Sequence, residues 1–528
     1  MGESGGERRP FQVPVVKRRW PVLGVAAACV VALVIAAYGI VTWSRGCGSG
    51  LYRAGPLDEC VGVTDGPGEF GLSDGLGGFD ESLRDVQTKI AAENERVRRV
   101  SRERNRPYVS IAYFSPLTVA KPDTTTIEAV RRSLEGTYVS QLRANSDGRE
   151  EWGGNLPLIQ LLLANPGSRS AQWEPVVKQL QERAESVGNG RLVAVTGLGQ
   201  SLAGTRDAIN TLAQQGIPMV GAIITADRFS VDPAAPEVRG LLRVAPTNSA
   251  QAGALVKRLE DTKRAMVVWD RNPDEVFSGD LAAAYERLYQ QHGRQLRRGE
   301  PFDSAQLATA NTFPAMIPNI CQIQPDAILF AGRLRELKPF LNALASRSCM
   351  ELPMRVLITD SVIDIGGDSE VQRSLESGIT LEYTQLAAPQ AWDAAPQYFS
   401  RRSVEYFKLG STATAVFQQE FPGESIDDGL AITAFDAFGV AATAARRAVQ
   451  YNKVAEKLPS AREVAAQFDR MHDRGGAVDG ASGWLSFDPL TGRPDSKALL
   501  VVEVTKEPGQ PVRSVPSVIS ENGAPYLP

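Results

Sequence analysis

The amino-acid sequence predicts an α/β protein with two doubly wound, Rossmann-like lobes, preceded by one transmembrane helix. From Pro107 onward, short β-rich runs alternate with longer amphipathic runs, the pattern of a parallel sheet with helices on both faces. The β-rich runs, such as IPMVGAII, are almost continuously apolar, because such sheets bury both sides of each strand. A second series of the same kind follows the crossing stretch GLLRVAPTNSAQAGALVKRL. Two series of strand–helix units therefore predict two lobes.

The predicted transmembrane helix is a stretch of about twenty uncharged residues at 22–41. At ~1.5 Å per residue it is long enough to span a hydrocarbon core ~30 Å thick. Trp20 and Trp43 flank it, where amphipathic rings favour the headgroup layer. Because more Lys and Arg residues lie before it than shortly after it, the N-terminus is expected in the cytoplasm. We expect a single-pass protein of the cell membrane, with a cytoplasmic tail at 1–20, a membrane helix at 21–43 and an extracytoplasmic main domain.

A cleaved signal peptide and a lipoprotein signal ending at Cys47 are the alternatives to this signal anchor. The exit sequence Thr42-Trp43-Ser44-Arg45 is a poor cleavage site, because signal peptidase cuts after small residues. Ser44 and Arg45 also occupy positions where lipoprotein signals carry aliphatic or small residues. An uncleaved anchor is therefore the favoured interpretation.

Composition and charge argue against several functions. A net charge of −4 offers no basic surface for nucleic acid. His292 and His472 are the two histidines of the chain, too few for a histidine-based active site or a histidine-rich metal site. No C-x-x-C motif occurs, so redox and zinc functions are not indicated. We expect a protein that is not an enzyme and that has no cofactor, no metal and no nucleic-acid partner.

Residues 44–106 are expected to form a juxtamembrane disulfide loop and a charged helix. The stretch 44–78 is rich in Gly, Pro and Asp, which predicts turns. Cys47 and Cys60 lie close enough within it to form a disulfide. Farther along, apolar residues at helical spacing form a thin stripe on a charged run: Leu83, Val86, Ile90, Val97 and Val100. Such a helix fits a stalk, a dimer seam or, by default, a helix that packs one narrow face on the main domain.

Cys321 and Cys349 predict a second disulfide. Cys321 ends a helix before the run DAILFAG, and Cys349 ends the next helix before MRVLITD. Since both helix ends lie at the amino edge of the sheet in a βαβ unit, the two thiols should meet. An even number of cysteines outside the membrane segment fits an oxidising compartment.

Hydroxyl-bearing loops follow three of the predicted strands, at 115–118, 197–201 and 224–227. Ligands of doubly wound sheets bind at the carboxyl ends of the strands, so these loops are candidate ligand-binding segments. None of them is a GxGxxG or P-loop sequence, so a nucleotide cofactor is not indicated.

Six stretches carry a family resemblance: YVSIAYFSPLT, LLRVAPTNSAQAGALVKRL, VVWDRNPDEVFSGDLAAAYERL, PDAILFAGRLRELKPFLNAL, AITAFDAFGVAATAARRAV and DGASGWLSFDPLTGRPDSKALLVVEV. In this order they resemble the type I periplasmic binding proteins, in the branch that binds leucine, isoleucine, valine and related amino acids. The resemblance implies two similar lobes joined by three crossovers, with the ligand enclosed between them. It implies lobe one at 107–245 and 387–476, lobe two at 246–386 and 477–506, and a flexible C-terminal tail at 507–528.

The resemblance also implies how a ligand is held. In amino-acid-binding members, hydroxyl and backbone N–H groups of lobe one hold the α-carboxylate, and a lobe-two carboxylate meets the ammonium. A buried zwitterion needs such a charge-assisted partner at each end. Phe277 stands where many relatives carry a tyrosine that covers the ligand. The matching positions are Ser115, Thr118, Gln200, Ser201, Ile223 and Thr225 in lobe one, with Phe277 and Glu336 in lobe two.

Charged residues near the predicted cleft leave the ligand type open. Glu336 is either the ammonium partner or an acid that complements a helix N-terminus. Arg333 and Arg335 flank it and either neutralise it or select an anionic ligand. Asp270 and Asp360 each end a lobe-two strand and either line the cleft or cap the helices that follow.

The resemblance implies a membrane-tethered, extracytoplasmic solute-binding receptor for an amino-acid-like small molecule, which closes its lobes for ABC-type import or for sensing. The expected partners are the ligand, the lipid bilayer, and an ABC permease or a membrane sensor. The alternative is a binding fold without a small ligand that acts as an extracellular protein-interaction module. The anchor, the charged helix and the altered cleft loops favour that alternative.

Overall fold

In the computed structural model of this chain, the described residues are Gly2 and 46–520, except 74–80, 121–122, 147–151, 233, 236, 261, 263, 295, 307, 361–367, 409–414 and 453–457. The chain divides into two compact units, Met1–Cys47 and Gly48–Pro528, and the elements below belong to the second. Apart from Gly2, the predicted cytoplasmic tail and membrane helix lie outside the described residues. Within the described part of the chain, no helix is both long and apolar enough to cross a bilayer.

The strands are β1 (Leu51–Ala54), β2 (Glu59–Thr64), β3 (Gly71–Ser73), β4 (Tyr108–Phe114), β5 (Thr118–Ala120), β6 (Leu158–Asn165), β7 (Leu192–Gly197), β8 (Met219–Gly221), β9 (Leu241–Arg243), β10 (Ala265–Trp269), β11 (Leu296–Arg298), β12 (Ala327–Ala331), β13 (Met354–Ile358), β14 (Ile379–Gln385), β15 (Val478–Asp479), β16 (Trp484–Phe487), β17 (Pro494–Asp495), β18 (Ala498–Thr505) and β19 (Arg513–Ser520). The α-helices are α1 (Arg84–Arg104), α2 (Ile127–Ala144), α3 (Trp173–Glu185), α4 (Ala203–Gln214), α5 (Asn248–Lys257), α6 (Val276–Gln291), α7 (Thr312–Ile323), α8 (Leu334–Ala345), α9 (Ser369–Leu375), α10 (Gln390–Ala394), α11 (Arg401–Val404), α12 (Val416–Glu420), α13 (Leu430–Asn452), α14 (Ala461–Phe468) and α15 (Asp473–Gly476). Short 3₁₀ helices occur at Glu81–Leu83, Ser168–Ser170, Thr309–Asn311 and Pro396–Tyr398.

Two large sheets organise the chain. Over the described residues, the first has the order β1-β2-β6-β4-β7-β8-β9 and the second the order β11-β10-β12-β13-β14-β18-β19. The first sheet is parallel from β6 to β9 and antiparallel at β1 and β2. The second is parallel from β11 to β14 and antiparallel at β18 and β19. We call the unit around the first sheet lobe one and that around the second lobe two. Two α/β units with largely parallel sheets confirm the predicted α/β class with two lobes.

Each sheet has a hydrophobic core on both faces. In β4, Ile111 packs into one core of lobe one and its neighbour Ala112 into the other. In β12, Ile328 and Leu329 divide in the same way between the two cores of lobe two. Successive residues of a strand point to opposite faces, so burial of both faces explains why these strands are continuously apolar. Thr247 caps α5, as the sequence predicted, by accepting a hydrogen bond from the N–H of Ala250 at 3.3 Å.

The N-terminal segment differs from the prediction of turns over 44–78. It contains β1 and β2, which extend the first sheet, and β3, which pairs with β5. Every residue of β2 is buried, and Val61 and Val63 enter a core of lobe one. The physical reason is the open edge of β6, whose unpaired backbone groups need a partner strand. Val61 and Val63 alternate over too short a run to outweigh the Gly-rich flanks in the sequence.

Helix α1 lies on lobe one, the default among the three predicted arrangements. Val86 and Ile90 from its stripe enter a core of that lobe. Asn94, fully buried, pairs with the backbone of Leu161 in β6: its Oδ1 accepts the N–H at 2.9 Å and its Nδ2 donates to the carbonyl at 2.7 Å. These two hydrogen bonds fix the helix to the sheet in one register.

The C-terminal region also differs from its prediction. Within the tail predicted at 507–528, β19 pairs antiparallel with β18 over eight residue pairs. The stretch 478–487, assigned by resemblance to lobe two, places Val478 and Leu485 in a core of lobe one. Lobe two therefore has a longer sheet than the resemblance implied, because β19 covers what would be an open edge at β18.

The predicted disulfide between Cys321 and Cys349 is present. Cys321 is in the last turn of α7, and Cys349 follows α8, so both lie at the amino edge of the second sheet as the βαβ argument requires. The other predicted disulfide requires Cys47 and Cys60 to be oxidised, and each of them is disulfide-bonded.

Candidate ligand-binding site

A cavity of about 340 Å³ lies between the carboxyl ends of the parallel strands of the two lobes. Lobe one contributes Ser115 after β4, Gln200 after β7 and Ile223 after β8. Lobe two contributes Arg333 after β12 and Asp360 after β13. Much of the remaining wall is apolar and includes Pro116, Val130, Leu202, Leu334, Leu386 and Leu430. An apolar cavity with a few convergent polar groups is the usual form of a small-molecule site.

The loop after β7 takes its shape from two glycines. Gly197, Leu198 and Gly199 all have positive φ angles, of 84°, 67° and 64°. A Cβ on Gly197 would lie 2.7 Å from the ring of Tyr113, and one on Gly199 would lie 2.9 Å from Pro116. Only glycine fits both the backbone conformation and the space. This tight turn brings Gln200 to the cavity wall.

Three of the predicted lobe-one residues line the cavity: Ser115, Gln200 and Ile223. The Gln200 side chain is held by Thr124, whose hydroxyl donates to Gln200 Oε1 at 2.5 Å. The rule that ligands bind at the carboxyl ends of parallel strands predicted Ser115 and Gln200, whereas Ile223 was predicted from the family resemblance.

The other three predicted lobe-one residues, which all carry hydroxyl groups, are not among the described residues that line the cavity. Their hydroxyls hold the neighbouring loops. Asn165 donates to Thr118 Oγ1 at 2.7 Å. Ser201 Oγ accepts the N–H of Thr225 at 3.2 Å. Thr225 Oγ1 in turn donates to Asp360 Oδ2 at 3.5 Å, which joins the two lobes. Ligand contacts by Thr118, Ser201 and Thr225 stay predictions.

Neither Phe277 nor Glu336 is among the described residues that line the cavity. Phe277 is buried in a core of lobe two, and the Arg333 guanidinium lies 4.1 Å from its ring centroid. Glu336 is buried, and Arg335 Nε donates to its Oε1 at 2.5 Å. Burial raises the pKa of Glu336, against the opposing effect of Arg335.

An ion-pair network that the sequence analysis did not find crosses the cleft. Glu275, at the start of α6, has a fully buried carboxylate. Arg333 Nε donates to its Oε2 at 3.1 Å, and Arg169 of lobe one lies 3.4 Å from its Oε1. Arg169 follows β6 and lines the cavity, so the strand-end rule would have found it. Glu275 gives no such signal, because its role depends on how the lobes meet.

Asp360 lines the cavity, one of the two roles the sequence left open for it. Its carboxylate lies 3.8 Å from Arg333 Nη1. Burial raises the pKa of Asp360 to about 7, although Arg333 and the Thr225 hydroxyl both favour the ionised form. Asp270 is not among the described residues that line the cavity, and it does not cap α6, whose N-cap is Glu275: its Oδ1 accepts the backbone N–H of Asn272 at 3.0 Å in the loop before that helix.

Arg132 and Asp428 form a further ion pair of the cavity wall, 2.8 Å apart. Both belong to lobe one, on or next to the helices α2 and α13. This pair neutralises itself, so it adds no net charge to the site.

No protein-family model and no curated protein matches the chain, but solved structures are similar to it. A leucine-binding protein, LivK, from Thermotoga maritima has 18% identity and a TM-score of 0.54, covering 78% of this chain and 99% of that chain. The branched-chain amino-acid-binding protein LivJ from Streptococcus pneumoniae, solved with isoleucine, has 15% identity and a TM-score of 0.51, covering 79% and 99%. A Rhodopseudomonas palustris solute-binding protein, solved with 3,4-dihydroxybenzoic acid, has 14% identity and a TM-score of 0.53, covering 79% and 99%. The fold is that of the type I periplasmic binding proteins. The fold implied by the resemblance is thereby confirmed.

Within this type I periplasmic binding protein fold, the cavity lies where the resemblance expected a ligand. The cavity differs from that expectation in its charged groups. The position expected to meet an ammonium, Glu336, is engaged by Arg335 behind the wall. The charged lobe-two side chains that line the cavity, among the residues described, are Arg333 and Asp360.

Proposed function

We propose that the protein is an extracytoplasmic solute-binding receptor, tethered to the cell membrane by residues 21–43, which closes two lobes over a small molecule for import or sensing. The observation that carries this proposal is the cavity between the carboxyl ends of the two sheets, lined from both lobes. A volume of about 340 Å³ is in the range of small-molecule sites. An ABC permease or a membrane sensor would be the protein partner.

Closure of the lobes requires contacts that the closed state has and the open state lacks. The ion pair between Glu275 of lobe two and Arg169 of lobe one spans the cleft, so it supplies part of that difference. A ligand between the lobes supplies the rest. The three crossings, predicted near Ala245, Leu386 and Gly476, would absorb the rotation.

A ligand screen tests the receptor. We expect an amino acid or another small carboxylic acid to raise the melting temperature of the full chain, purified in detergent. A ligand at 100 times its Kd stabilises the folded state by about 2.7 kcal/mol. Ala129→Phe is the matched control, because Ala129 lines the cavity and a phenyl ring there would fill it. The control should fold normally and lose the ligand-dependent shift.

A protein-interaction module without a small ligand is the second candidate. It is favoured by the pairing of the cavity's charges with one another, as in Arg132 with Asp428. A cleft that is neutralised internally does not need a ligand to balance it. If no amino acid or carboxylic acid shifts the melting temperature, the receptor proposal fails and this second candidate stands.

The membrane tether is tested by intact-mass analysis of the protein extracted from membranes. We expect the N-terminal segment to be retained, because the sequence after the apolar stretch is a poor cleavage site. A mature chain that begins beyond Trp43, or one that carries a lipid on Cys47, would contradict the anchor.

A further inference from the structure

The first turns of α6 in lobe two contact lobe one beside the cavity. The N–H of Phe277 donates to the carbonyl oxygen of Ser201, in the loop after β7, at 3.2 Å. One turn farther along, the carboxylate of Asp280 accepts the backbone N–H of Asp227 at 2.7 Å and that of Arg228 at 3.3 Å, both in the loop after β8. We call this contact the α6 seam. Its hydrogen bonds join the two lobes, so they break when α6 moves away from lobe one.

Asp280 is a partly buried carboxylate of the α6 seam that has no cationic partner. Within the described part of the chain, no Lys or Arg forms an ion pair with it, and its remaining hydrogen bond comes from the neutral amide of Asn248, at 2.9 Å. The neighbouring acids do have a cation, because Arg493 lies 3.1 Å from Asp227 and 2.6 Å from Glu237. The seam therefore brings together two carboxylates from opposite lobes, and only that of lobe one is neutralised.

The charged and polar groups around Asp280 come from every element packed against it. They are Asp227 and the exposed Arg228 in the loop after β8, Glu237 and Arg243 before and in β9, Asn248 and Ser249 in α5, Arg287 in α6, and Arg493 between β16 and β17. Three acids at the seam thus share the guanidinium groups of Arg243 and Arg493. The pKa of Asp280 is raised to about 6, first by burial and then by the charge of Asp227, against the hydrogen bonds that it accepts.

Opening of the cleft would change the surroundings of Asp280. Water would replace lobe one beside its carboxylate, and the distance to Asp227 would increase, so its pKa would fall toward about 3.9, the usual value for Asp. The closed form therefore binds a proton more readily than the open form. As the pH falls through about 6, the closed cleft gains stability relative to the open one, and the gain is complete below about pH 4.

We propose that Asp280 is a proton-controlled latch between the lobes: when it takes up a proton from a mildly acidic medium, its repulsion with Asp227 is removed and the closed cleft is favoured. This inference rests on the proposed receptor function and names a regulation of that site. In an acidic medium the receptor holds its ligand more firmly, and as the medium becomes neutral the cleft opens more readily.

Single-molecule fluorescence energy transfer between the lobes tests the latch on the full chain in detergent. Dyes are attached through bio-orthogonal amino acids in place of Glu128 of α2 in lobe one and Ser369 of α9 in lobe two, which are both exposed. We expect two populations, closed and open, whose ratio changes with pH. Asp360, whose pKa burial raises to about 7, titrates in the same range. The contribution of Asp280 is therefore measured as the difference between the parent and a variant.

Asp280→Asn removes the titration but keeps the shape of the side chain and an oxygen that accepts the N–H of Asp227. Between pH 7 and pH 5 the closed-to-open ratio should rise about tenfold more in the parent than in this variant, because the closed form takes up nearly one more proton over that range. Asp227→Asn removes the like charge and keeps the backbone N–H, so it should reduce the parent's rise about threefold. Asp393→Asn is the matched control: its carboxylate is 75% exposed, so the rise should stay within about twofold of the parent's.

An equal rise in the parent and in a folded Asp280→Asn variant overturns the latch, and so does a single distance between the dyes at every pH. If Asp280→Asn does not fold, as judged by circular dichroism, Asp227→Asn decides: a smaller rise than the parent's supports the latch, and an equal rise overturns it. The receptor function does not depend on these results. It stands if an amino acid or another small carboxylic acid shifts the melting temperature, and it fails if none does.

Discussion

Leucine in place of Gly136 should prevent stable folding of lobe one. Gly136 lies in α2 against Ala431 of α13, and a Cβ atom on Gly136 would lie 1.9 Å from the carbonyl oxygen of Ala431. A backbone carbonyl cannot turn aside as a flexible side chain can. The two helices would have to separate, and both belong to the core beside the first sheet.

Separation of α2 from α13 breaks more than one contact. The Ser140 hydroxyl donates to the carbonyl of Phe435 at 2.7 Å, and Arg446 Nη2 donates to the carbonyl of Ala144. Overpacking by itself costs about 1–3 kcal/mol, and each buried hydrogen bond lost adds about 1 kcal/mol or more. We expect Gly136→Ala to lower the free energy of unfolding by at least about 3 kcal/mol. Gly136→Leu should lower it by more than about 5 kcal/mol, which is the lower end of the range found for the total stability of native proteins.

Denaturant unfolding of the full chain in detergent, followed by circular dichroism, measures this cost. Gly253→Ala in α5 is the control, because a Cβ there would have no atom within 4 Å. Alanine at an open helix position stabilises by about 0.5–1 kcal/mol relative to glycine. Equal stability of Gly136→Ala and Gly253→Ala would show that α2 and α13 do not approach this closely.

Much of the fold could be predicted because its signal is local. Strands buried on both faces leave continuous apolar runs in the sequence, and the amphipathic helices between them leave a different period. The strands β2 and β19 were missed for a physical reason. The strand β2 is buried but lies among turn residues, and β19 has few buried side chains of its own. Each strand forms by pairing with the open edge of another strand. Edge pairing is a tertiary property that no local pattern contains.

For the site, the sequence could predict which residues follow the ends of strands, but not the contacts that their side chains make. Ser115, Gln200 and Ile223 line the cavity because they follow parallel strands, a rule of topology. The resemblance gave the position of Glu336 but not the hydrogen bond from Arg335 that occupies it. Likewise, the pairing of Glu275 with groups of both lobes depends on their approach. Side-chain direction and contacts between lobes are set by the whole structure.

The closing motif DGASG shows the same limit. In the sequence it contributes only to the resemblance, whereas the structure shows it wrapped around Asp436 of α13. Asp436 Oδ1 accepts the N–H of Ala481 at 2.7 Å, and its Oδ2 accepts the N–H of Ser482 at 2.8 Å and the Ser482 hydroxyl. Lys497 Nζ donates to that hydroxyl at 2.6 Å. All three polar side chains are buried, so the cluster fixes the segment between β15 and β18 to lobe one.

Asp436→Ala should destabilise the protein by about 3–5 kcal/mol, because it leaves the Lys497 ammonium buried without its compensating charge. Burial already lowers the pKa of Lys497 to about 8, and the Asp436 charge opposes that shift. Without Asp436 the pKa of Lys497 falls further, so the folded state binds fewer protons than the unfolded state over a wider pH range. The stability difference between variant and parent should therefore shrink as the pH rises from 7 to 9.

A double-mutant cycle separates this charge effect from the loss of packing. We expect Asp436→Ala combined with Lys497→Met to be more stable than Asp436→Ala alone, with a coupling energy of about 1–3 kcal/mol. Asp393→Ala is the surface control, since Asp393 is 75% exposed in its ion pair with Lys408 and such pairs contribute about 1 kcal/mol or less. Additive effects in the cycle, together with a stability difference that does not change with pH, would show that Lys497 is not charged against Asp436. Coupling would show instead that the DGASG loop is held in place by a buried charge.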